Sequence, residues 1–338
     1  MTVMAETDSV GAALRALTFE HTVAKALVHR RALSEVFLTD STAVDDSHFV
    51  AGAQLPPSHA YYTDHTTWSA VDPLFLLECC RQAETHAVHA HFGAPDGTKF
   101  VLQQWSMELP GLAALEPAHG PAEVTIAVTT HDAQWVGGSL RGLRYRMAIT
   151  VSGRPVGEVT MRVKYVADSV YGMLRGRRDG GGTPTSESYR RPATEGLVRP
   201  GRVGRQRPEN VVLLDPVTDG RQVRARLLVA GGHPSLFDHA QDHVPGMVLM
   251  EAGRQTALLT AEELYGAPAA AWSVTGLEAS FNAYAELDEP LTVVGDGGDG
   301  HGSVDAGAGP VSIPVAFEQG GRSVARAAFT LERGGAGR

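Results

Sequence analysis

The chain has 338 residues, of which 43% are hydrophobic and 20% are charged, and its formal net charge is −9. This balance is that of a globular protein and excludes fibrous and disordered classes. No run approaches the ~18 apolar residues of a membrane span, and the acidic charge argues against a nucleic-acid-binding protein. The opening residues show no secretory signal, and the only two cysteines are adjacent, so we expect a cytoplasmic protein. The length predicts two domains.

The predicted elements fall into two halves with the same order. In the first half, a strand candidate at 27–38 precedes a long helix within 71–95. The strands predicted after it are 98–109, 122–131, 139–151 and 155–166. The second half has a helix within 244–268, and its predicted strands are 209–214, 222–229, 271–282, 291–295, 310–317 and 322–332. One long apolar helix among antiparallel strands, twice over, predicts an α+β fold in which sheets wrap the helices.

The two helical segments are copies of one another. Residues 71–95 align without a gap with residues 244–268, at the offset of 173 that separates Glu78 from Glu251. Both copies carry the pattern E-x-x-R-Q and close on G-A-P. In the first copy, Asp72 is placed to act as a helix N-cap. The sequence therefore predicts a duplicated unit rather than two unrelated domains.

Residues 167–207 separate the predicted units, 15–166 and 208–334, and differ from them in composition. The stretch is rich in Gly, Pro and Ser, and it holds nine arginines against four acidic residues. Such a composition is typical of a solvated linker. The excess of positive charge leaves a second interpretation open, a basic arm that attracts an acidic protein partner or a phosphate. A short helix is predicted at its start, within 168–176.

Candidate functional residues share one face of each central helix. Glu78, Arg81 and Gln82 occupy positions i, i+3 and i+4. The second copy repeats these residue types as Glu251, Arg254 and Gln255. A carboxylate on an apolar, buried helix must be paired or must have a shifted pKa. Two interpretations follow, a structural ion pair that fixes the register and a general base.

The loops before the helices supply histidines, and the helix starts supply backbone donors. His65 precedes the first helix and His239 precedes the second. A histidine that approaches a helix glutamate suits acid–base chemistry near neutral pH. The free N–H groups near Leu74, and near Gly246 and Met247 in the second copy, suit an oxygen that becomes anionic.

A metal site is a weaker interpretation of the second loop. Asp238, His239, Asp242 and His243 are ligand types, but Pro245 opposes a helix through them and no partner cluster is evident. No glycine-rich phosphate loop and no nucleophile-elbow motif stands in a convincing context.

These motifs resemble a known family. The segment HVPGMVLMEAGRQ (243–255) resembles the central-helix motif of hotdog-fold β-hydroxyacyl-carrier-protein dehydratases. The tandem arrangement is closer to the A-factor synthase family, AfsA, whose members have two hotdog units. Three segments resemble that family in the same order: TFEHTVAKALVHRRALSEVFLTD, DPLFLLECCRQAETHAVHAHFG and FDHAQDHVPGMVLMEAGRQTA.

The resemblance implies a tandem hotdog fold, in which each unit is a long helix wrapped by an antiparallel sheet and the units pair as an intrachain pseudo-dimer. It implies transfer of a β-ketoacyl group from acyl carrier protein to the hydroxyl of dihydroxyacetone phosphate. That step begins the synthesis of γ-butyrolactone, butenolide or furan signals. It needs no metal and no redox cofactor, and neither a nucleic acid nor a membrane is an expected partner.

The residues take expected roles in that reaction. The expected catalytic residues are Glu78, Arg254, Glu251, Arg81, His65 and His239. The expected substrate-binding residues are Gln82, Gln255, Leu74, Gly246 and Met247. The glutamates are expected to take the hydroxyl proton, and the arginines to bind the phosphate or a carbonyl. The histidines stand lower, because both loops depart from the H-F-P-G pattern of the dehydratases.

Two alternatives stay open. The first is a dehydratase or thioesterase that acts on acyl thioesters, which the retained Glu and Gln support. The second is a protein that binds an acyl group or autoregulator without chemistry, which the signalling role of the family's product supports.

Overall fold

The computed structural model of the chain describes residues 2–117, 120–175, 184–298 and 309–334. The chain forms two compact units, Met1–Ser58 with Phe75–Thr183 and His59–Leu74 with Pro184–Arg338. The loop before the first central helix thus belongs to the second unit, a division that the sequence alone does not indicate. Within the described ranges, no helix is both long enough and apolar enough to cross a membrane.

The first unit is a six-stranded antiparallel sheet with a long helix. A terminal helix, α1 (Thr2–Ala16), is followed by β1 (Leu38–Ala43) and β2 (His48–Leu55). The central helix is α2 (Pro73–Ala90), and the elements after it are β3 (Lys99–Glu108), β4 (Ala122–Val136), β5 (Ser139–Val151), β6 (Arg154–Val166) and α3 (Asp168–Arg175). The strand order is β1-β2-β4-β5-β6-β3, with every pair antiparallel.

The second unit repeats this topology. Its elements are β7 (Leu213–Asp219), β8 (Gln222–Leu227), α4 (Gly246–Tyr265), β9 (Trp272–Phe281), β10 (Leu291–Asp296), β11 (Val311–Gln319) and β12 (Arg322–Arg333). The strand order is β7-β8-β10-β11-β12-β9, again antiparallel throughout. Replacing each strand by its counterpart reproduces the order of the first unit, which confirms the predicted duplication.

The central helices are buried because they are apolar nearly all round. Every residue of α4 from Val248 to Ala261 is buried, and the helix stops at Gly266, whose φ of 66° is left-handed. The start of α2 is fixed as predicted, since the N–H of Leu74 donates to Asp72 Oδ1 at 2.9 Å. Each unit is therefore a long helix against an antiparallel sheet, and the α+β expectation is confirmed.

The strand predicted at 27–38 is wrong. The chain forms single 3-10 turns at Lys25–Val28 and Leu33–Glu35, and β1 begins only at Leu38. The apolar pattern of this segment comes from residues that face α2 from a turn rather than from a strand. The strand predicted at 209–214 starts late for the same reason, since a turn at Pro208–Asn210 precedes β7.

The predicted linker, 167–207, is described except for residues 176–183. Its start forms α3, as predicted. From Pro184 onward it is not a solvated linker, because Val198, Val203 and Arg205 are all buried. Composition alone misleads here, since a buried arginine and a solvated arginine have the same sequence signature.

The last part of this stretch belongs to the repeat. The turns at Pro200–Val203 and Pro208–Asn210 match those at Lys25–Val28 and Leu33–Glu35, at an offset of 175 residues. The second copy therefore begins ahead of residue 208, the boundary that composition predicts.

Gly253 is required by the packing of α4 on its sheet. A Cβ there would lie 2.6 Å from the ring of Phe329 and 3.1 Å from that of Phe317, and both rings are completely buried. We expect Gly253→Ala to lower the free energy of unfolding by about 1–3 kcal/mol, because neither ring has room to move. Gly172 of α3 is the matched control, since nothing lies within 4 Å of its Cβ position. Gly172→Ala should be neutral or stabilising by up to ~1 kcal/mol. Urea denaturation of the two variants measures both effects, and equal midpoints would contradict the packing argument.

Candidate functional site

Four side chains of the first unit meet at one buried carboxylate, and we call them the Glu78 cluster: Arg30, Glu78, Arg81 and Gln82. Glu78 Oε1 accepts hydrogen bonds from Arg30 Nη2 (2.5 Å), Arg81 Nη2 (2.8 Å) and Gln82 Nε2 (2.7 Å). Glu78 Oε2 accepts one from Arg81 Nε at 2.7 Å. The ion pair that the helix spacing predicts is present, and a second arginine joins it.

Gln82 fastens this cluster to the segment that leads into β1. Its Oε1 accepts from the N–H groups of Phe37 (2.9 Å) and Leu38 (3.3 Å), and its Nε2 also donates to the carbonyl of Glu35 (2.8 Å). A buried amide with both ends satisfied fixes the distance between α2 and this segment. Gln82 is therefore a structural partner of the cluster, and it is completely buried.

The charge state of Glu78 follows from its neighbours. Burial raises the pKa of the carboxyl group, but the guanidinium groups of Arg30 and Arg81 outweigh it and lower the pKa to about 2. The group is thus ionised at neutral pH, with both oxygens occupied. Such a carboxylate holds guanidinium groups in place and is a weak proton acceptor.

The two arginines of the Glu78 cluster retain some access to solvent. The side chain of Arg81 is 18% exposed and that of Arg30 is 10% exposed. Arg81 uses Nε and Nη2 on Glu78, while its Nη1 makes only a 3.5 Å contact with Thr85 Oγ1. The donors of Nη1 therefore remain available for an anion.

The second unit contains a larger group, which we call the Glu251 cluster. Its members are Tyr61, Asp72, Arg205, Glu251, Arg254 and Gln255. Glu251 Oε1 accepts from Arg205 Nε (2.9 Å) and Gln255 Nε2 (2.5 Å), and Oε2 accepts from Tyr61 Oη (2.9 Å) and Arg254 Nη2. Burial raises the pKa of Glu251, but Arg205 and Arg254 outweigh it and leave the pKa below its usual value. This carboxylate is also ionised and fully occupied.

Gln255 repeats the role of Gln82. Its Oε1 accepts from the N–H of Val212 at 3.0 Å, and its Nε2 donates to the carbonyl of Asn210 at 2.7 Å. In both units the glutamine thus links the central helix to the residues just before the first strand. The shared E-x-x-R-Q pattern is explained by this link together with the ion pair.

Tyr61 and Arg205 are packed against each other in the Glu251 cluster. The guanidinium carbon of Arg205 lies 4.3 Å from the centre of the Tyr61 ring, a cation–π distance. Arg205 Nη1 also donates to the carbonyl oxygen of Tyr61 at 2.7 Å. Burial raises the pKa of the Tyr61 phenol, and the nearby charge of Glu251 adds to this, so the group stays protonated and donates.

Asp72 joins the start of α2 to the Glu251 cluster. Its Oδ1 accepts from the N–H of Leu74 and from Arg254 Nη1, at 2.9 and 2.6 Å. The N–H of Leu74 is therefore already bonded, which corrects the expectation that Leu74 offers a free donor to substrate. The start of α4 differs, because Pro245 provides no side-chain cap. Among the described residues, no acceptor bonds the N–H groups of Gly246 and Met247, which are half-buried.

The histidines predicted to pair with the glutamates do not do so. His65 is half-buried, with Nδ1 3.0 Å from Thr67 Oγ1. Burial lowers its pKa, against the opposing effect of Asp72, so the imidazole is neutral at pH 7. His239 is also half-buried, and its ring nitrogens contact Asp238 Oδ2 (3.4 Å) and Gln241 Nε2 (2.6 Å). Neither ring bonds a glutamate of the two clusters in the described part of the chain.

A different histidine lies near the Glu251 cluster. The ring of His233 is 5.6 Å from that of Tyr61, and its Nε2 is 2.8 Å from Asn210 Oδ1. Burial, and then the charge of Arg205, lower its pKa to about 4. Its Nδ1 accepts from the N–H groups of Ser235 and Leu236, so its lone pair stabilises a turn. His233 is a structural histidine.

The loop residues considered as metal ligands form adjacent pairs instead. Asp238 contacts His239, and Asp242 Oδ1 lies 2.6 Å from His243 Nδ1. Within residues 2–117, 120–175, 184–298 and 309–334, no three His, Cys, Asp or Glu side chains are placed to hold a metal ion.

The second arginine of each cluster escapes prediction at the 173-residue offset. Arg30 and Arg205 are 175 residues apart, and each follows a residue in the left-handed conformation, His29 (φ 52°) and Gly204 (φ 71°). The tripeptides V-H-R and V-G-R at these positions are the sequence signal, and a two-residue gap in the repeat alignment brings them together. The left-handed residue turns the chain so that the next side chain faces the glutamate.

A separate buried acid lies further along α2. Glu84 Oε1 accepts from Tyr165 Oη at 2.7 Å, and that oxygen lies 2.8 Å from Tyr145 Oη. Glu84 Oε2 accepts from Thr85 Oγ1 at 3.1 Å. Burial raises the pKa of Glu84 to about 7, and the hydrogen bond from Tyr165 offsets only part of that rise. No arginine bonds this carboxyl group in the described residues, in contrast with Glu78.

Comparison with known proteins gives a consistent result. The family model described as the A-factor biosynthesis hotdog domain matches residues 12–167 and 186–332. The chain is similar to 2-oxo-3-(phosphooxy)propyl 3-oxoalkanoate synthase of Streptomyces virginiae, with 34% identity over 80% of this chain and 86% of that one. The synthase of the same name from Streptomyces coelicolor is 31% identical over 80% of this chain and 81% of its own.

One solved structure adds to this at the level of the fold. A protein described as an oleoyl thioesterase of Lactobacillus plantarum superposes with a TM-score of 0.50 and 13% identity, covering 84% of this chain and 96% of that one. At this identity the likeness concerns the fold alone.

The raised pKa of Glu84 predicts a pH-dependent stability. Between pH 4.5, the ordinary value, and about pH 7 the folded chain keeps a proton that the unfolded chain releases. The free energy of unfolding therefore falls as pH rises through this interval. We expect Glu84→Gln to match the parent near pH 4.5 and to exceed it at pH 8 by roughly 2–3 kcal/mol. Urea denaturation at both pH values measures the difference.

The exposed Glu116 is the control, and Glu116→Gln should leave the pH profile unchanged. A Glu84→Gln variant that is less stable than the parent at pH 8 would contradict the predicted protonation of Glu84.

Proposed function

Because the chain belongs to the A-factor biosynthesis hotdog family, we propose that it transfers a 3-oxoacyl group from a thioester to the hydroxyl of dihydroxyacetone phosphate. The product would be the 2-oxo-3-(phosphooxy)propyl 3-oxoalkanoate for which its Streptomyces relatives are named. The observation that carries the proposal is the duplicated arginine–glutamate cluster in a chain that matches those relatives over 80% of its length. We further propose acyl carrier protein as the carrier of the thioester.

The reaction balances without an oxidant or a reductant. The acceptor oxygen forms a bond to the thioester carbonyl carbon, and the carbon–sulfur bond breaks. The hydroxyl proton ends on the departing sulfur, because a thiol has a pKa near ~8.5 and a thiolate accepts a proton readily at neutral pH. The protein must therefore bind a phosphate, stabilise an oxyanion and guide one proton.

Guanidinium groups suit the first of these tasks. Arginine is always charged, and its planar fork matches two oxygens of a phosphate. The role proposed for Glu78 and Glu251 is to hold Arg81 and Arg254 in place, since both carboxylates are ionised and occupied by donors. This replaces the general-base role that the sequence predicts with a positioning role.

The start of α4 suits the second task. The N–H groups of Gly246 and Met247 point out of a helix N-terminus, where the backbone dipole favours negative charge. Proline at position 245 leaves these donors without a side-chain cap. We assign the oxyanion to Gly246 and Met247 rather than to Leu74, whose N–H is bonded to Asp72.

The histidines are the candidates for guiding the proton. His65 is neutral at pH 7 because burial lowers its pKa, and it is half-buried, as is His239. A neutral imidazole within reach of solvent can carry a proton between the hydroxyl and the departing sulfur. The buried, free Cys79 and Cys80 and the phosphorylated acceptor fit the cytoplasmic location that we propose.

The test of this function is acceptor dependence. We expect the purified chain to release thiol from a 3-oxoacyl thioester at least tenfold faster when dihydroxyacetone phosphate is present, since the hydroxyl is the nucleophile. Mass spectrometry should detect the phosphorylated 3-oxoacyl ester. Dihydroxyacetone without phosphate is the control, and it should react poorly because the arginines lose their ligand.

Thiol release at the same rate without the acceptor, with free 3-oxo acid as the product, would identify a thioesterase instead. Loss of water from a 3-hydroxyacyl thioester would identify a dehydratase.

A further inference from the structure

We infer that the two clusters have divided their roles: the Glu78 cluster binds the phosphate of the acceptor through Arg81, and the Glu251 cluster is a closed, structural copy. This inference rests on the proposed acyl transfer, which needs a phosphate site but does not say how many. The clusters share a glutamate, two arginines and a glutamine, so the difference lies in what surrounds these groups.

The Glu251 cluster has no surface to offer a ligand. The side chains of Asp72, Arg205 and Glu251 are 0% exposed, and that of Arg254 is 3% exposed. Tyr61 is buried and covers Arg205 with its ring. A phosphate could enter only if this packing were broken, and the cost of uncovering paired charges and an aromatic ring opposes that.

The charges of the Glu251 cluster are also balanced internally. Asp72 and Glu251 are both ionised, and they face the two guanidinium groups of Arg205 and Arg254. Each arginine thus has a carboxylate partner inside the cluster. A doubly charged phosphate would have to displace one of these carboxylates, which are held in place by further hydrogen bonds from Tyr61 and from the start of α2.

The Glu78 cluster is built from the same parts but differs in access. Arg81 is 18% exposed, and its Nη1 is not committed to a carboxylate in the described residues. Glu78 holds the Nε and Nη2 edge of Arg81 and one nitrogen of Arg30. The guanidinium of Arg81 is therefore oriented on one edge and accessible on the other, as a phosphate-binding arginine must be.

Arg30 acts through Glu78 and is a positioning residue. It adds a second positive charge beside a single carboxylate, and this keeps Glu78 ionised and aligned with Arg81. The role of His65 changes as well, because its electrostatic neighbours are Asp72, Arg254 and Arg205. A closed Glu251 cluster removes His65 from the candidates for proton transfer and leaves His239.

The matched pair Arg30→Lys and Arg205→Lys tests this division, since the two arginines occupy equivalent positions. Lysine keeps the charge but loses the planar fork. We expect Arg30→Lys and Arg81→Lys to raise the KM for dihydroxyacetone phosphate at least tenfold and to change the KM for the acyl thioester less than threefold. A merely structural loss would lower kcat and leave both KM values unchanged.

We expect Arg205→Lys to lower the thermal midpoint by several degrees while both KM values stay within twofold of the parent. Tyr61→Phe is the second variant, needed if Arg205→Lys does not fold, and it should give the same result. An acceptor KM that rises tenfold in folded Arg205→Lys or Tyr61→Phe would overturn the inference, as would an unchanged acceptor KM in Arg30→Lys and Arg81→Lys.

Calorimetric titration with dihydroxyacetone phosphate separates this inference from the proposed reaction. We expect one site per chain, retained in Tyr61→Phe and weakened at least tenfold in Arg81→Lys. Two equivalent sites per chain would overturn the division of roles. If the parent binds one equivalent but transfers no acyl group, the proposed reaction fails and the assignment of the phosphate site stands.

Discussion

The structure depends on one expensive interaction, a carboxylate that is buried on an apolar helix and neutralised by two guanidinium groups. Burying a charge costs several kcal/mol unless it is paired and hydrogen-bonded. Glu78 and Glu251 each meet this requirement with one arginine from the same helix and one from the turn before the first strand. The turn must therefore stay against the helix in both units. Because the helix, the turn and the strand are linked at this point, the cluster sets the register of the unit as well as the chemistry it offers.

Two copies of one design have reached different states. In the first unit the carboxylate is shared by two arginines, one of which is partly exposed. In the second, a tyrosine and an aspartate complete the cluster and bury it. The sequence contains the reason in a single comparison: Asp72 stands where the second copy has Pro245. The carboxylate caps one helix and neutralises an arginine, whereas the proline leaves the start of the other helix open. A duplicated chain needs only one working site, so the second is free to become part of the core.

Much of the fold follows from periodicity, and the parts that do not follow have a common cause. The central helices are predicted well because their apolar residues continue around the whole circumference, and Gly266 marks where α4 stops. The segment 27–38 is predicted wrongly because its apolar residues face a helix from two turns, and their spacing imitates a strand. Arg205 is hidden within a stretch whose composition indicates a solvated linker, since the partner that buries it lies 46 residues further along the chain. Local patterns report propensity, but they do not report which distant group neutralises a charge. For the same reason, the pairing of Glu78 with Arg81 is predictable from helix spacing, and the contribution of Arg30 is not.

The loop His59–Leu74 has a consequence for how the chain is made. It is translated early, yet its residues belong to the second unit, and Tyr61 and Asp72 find their partners 190 and 182 residues later. Domains that emerge complete from the ribosome fold one after the other, but contacts of such long range must wait. The first half of this chain therefore leaves the ribosome with an aromatic ring and an acid still uncovered. Its protection during that interval rests with chaperones or with speed of synthesis, and the second unit closes only after Arg254 has been translated.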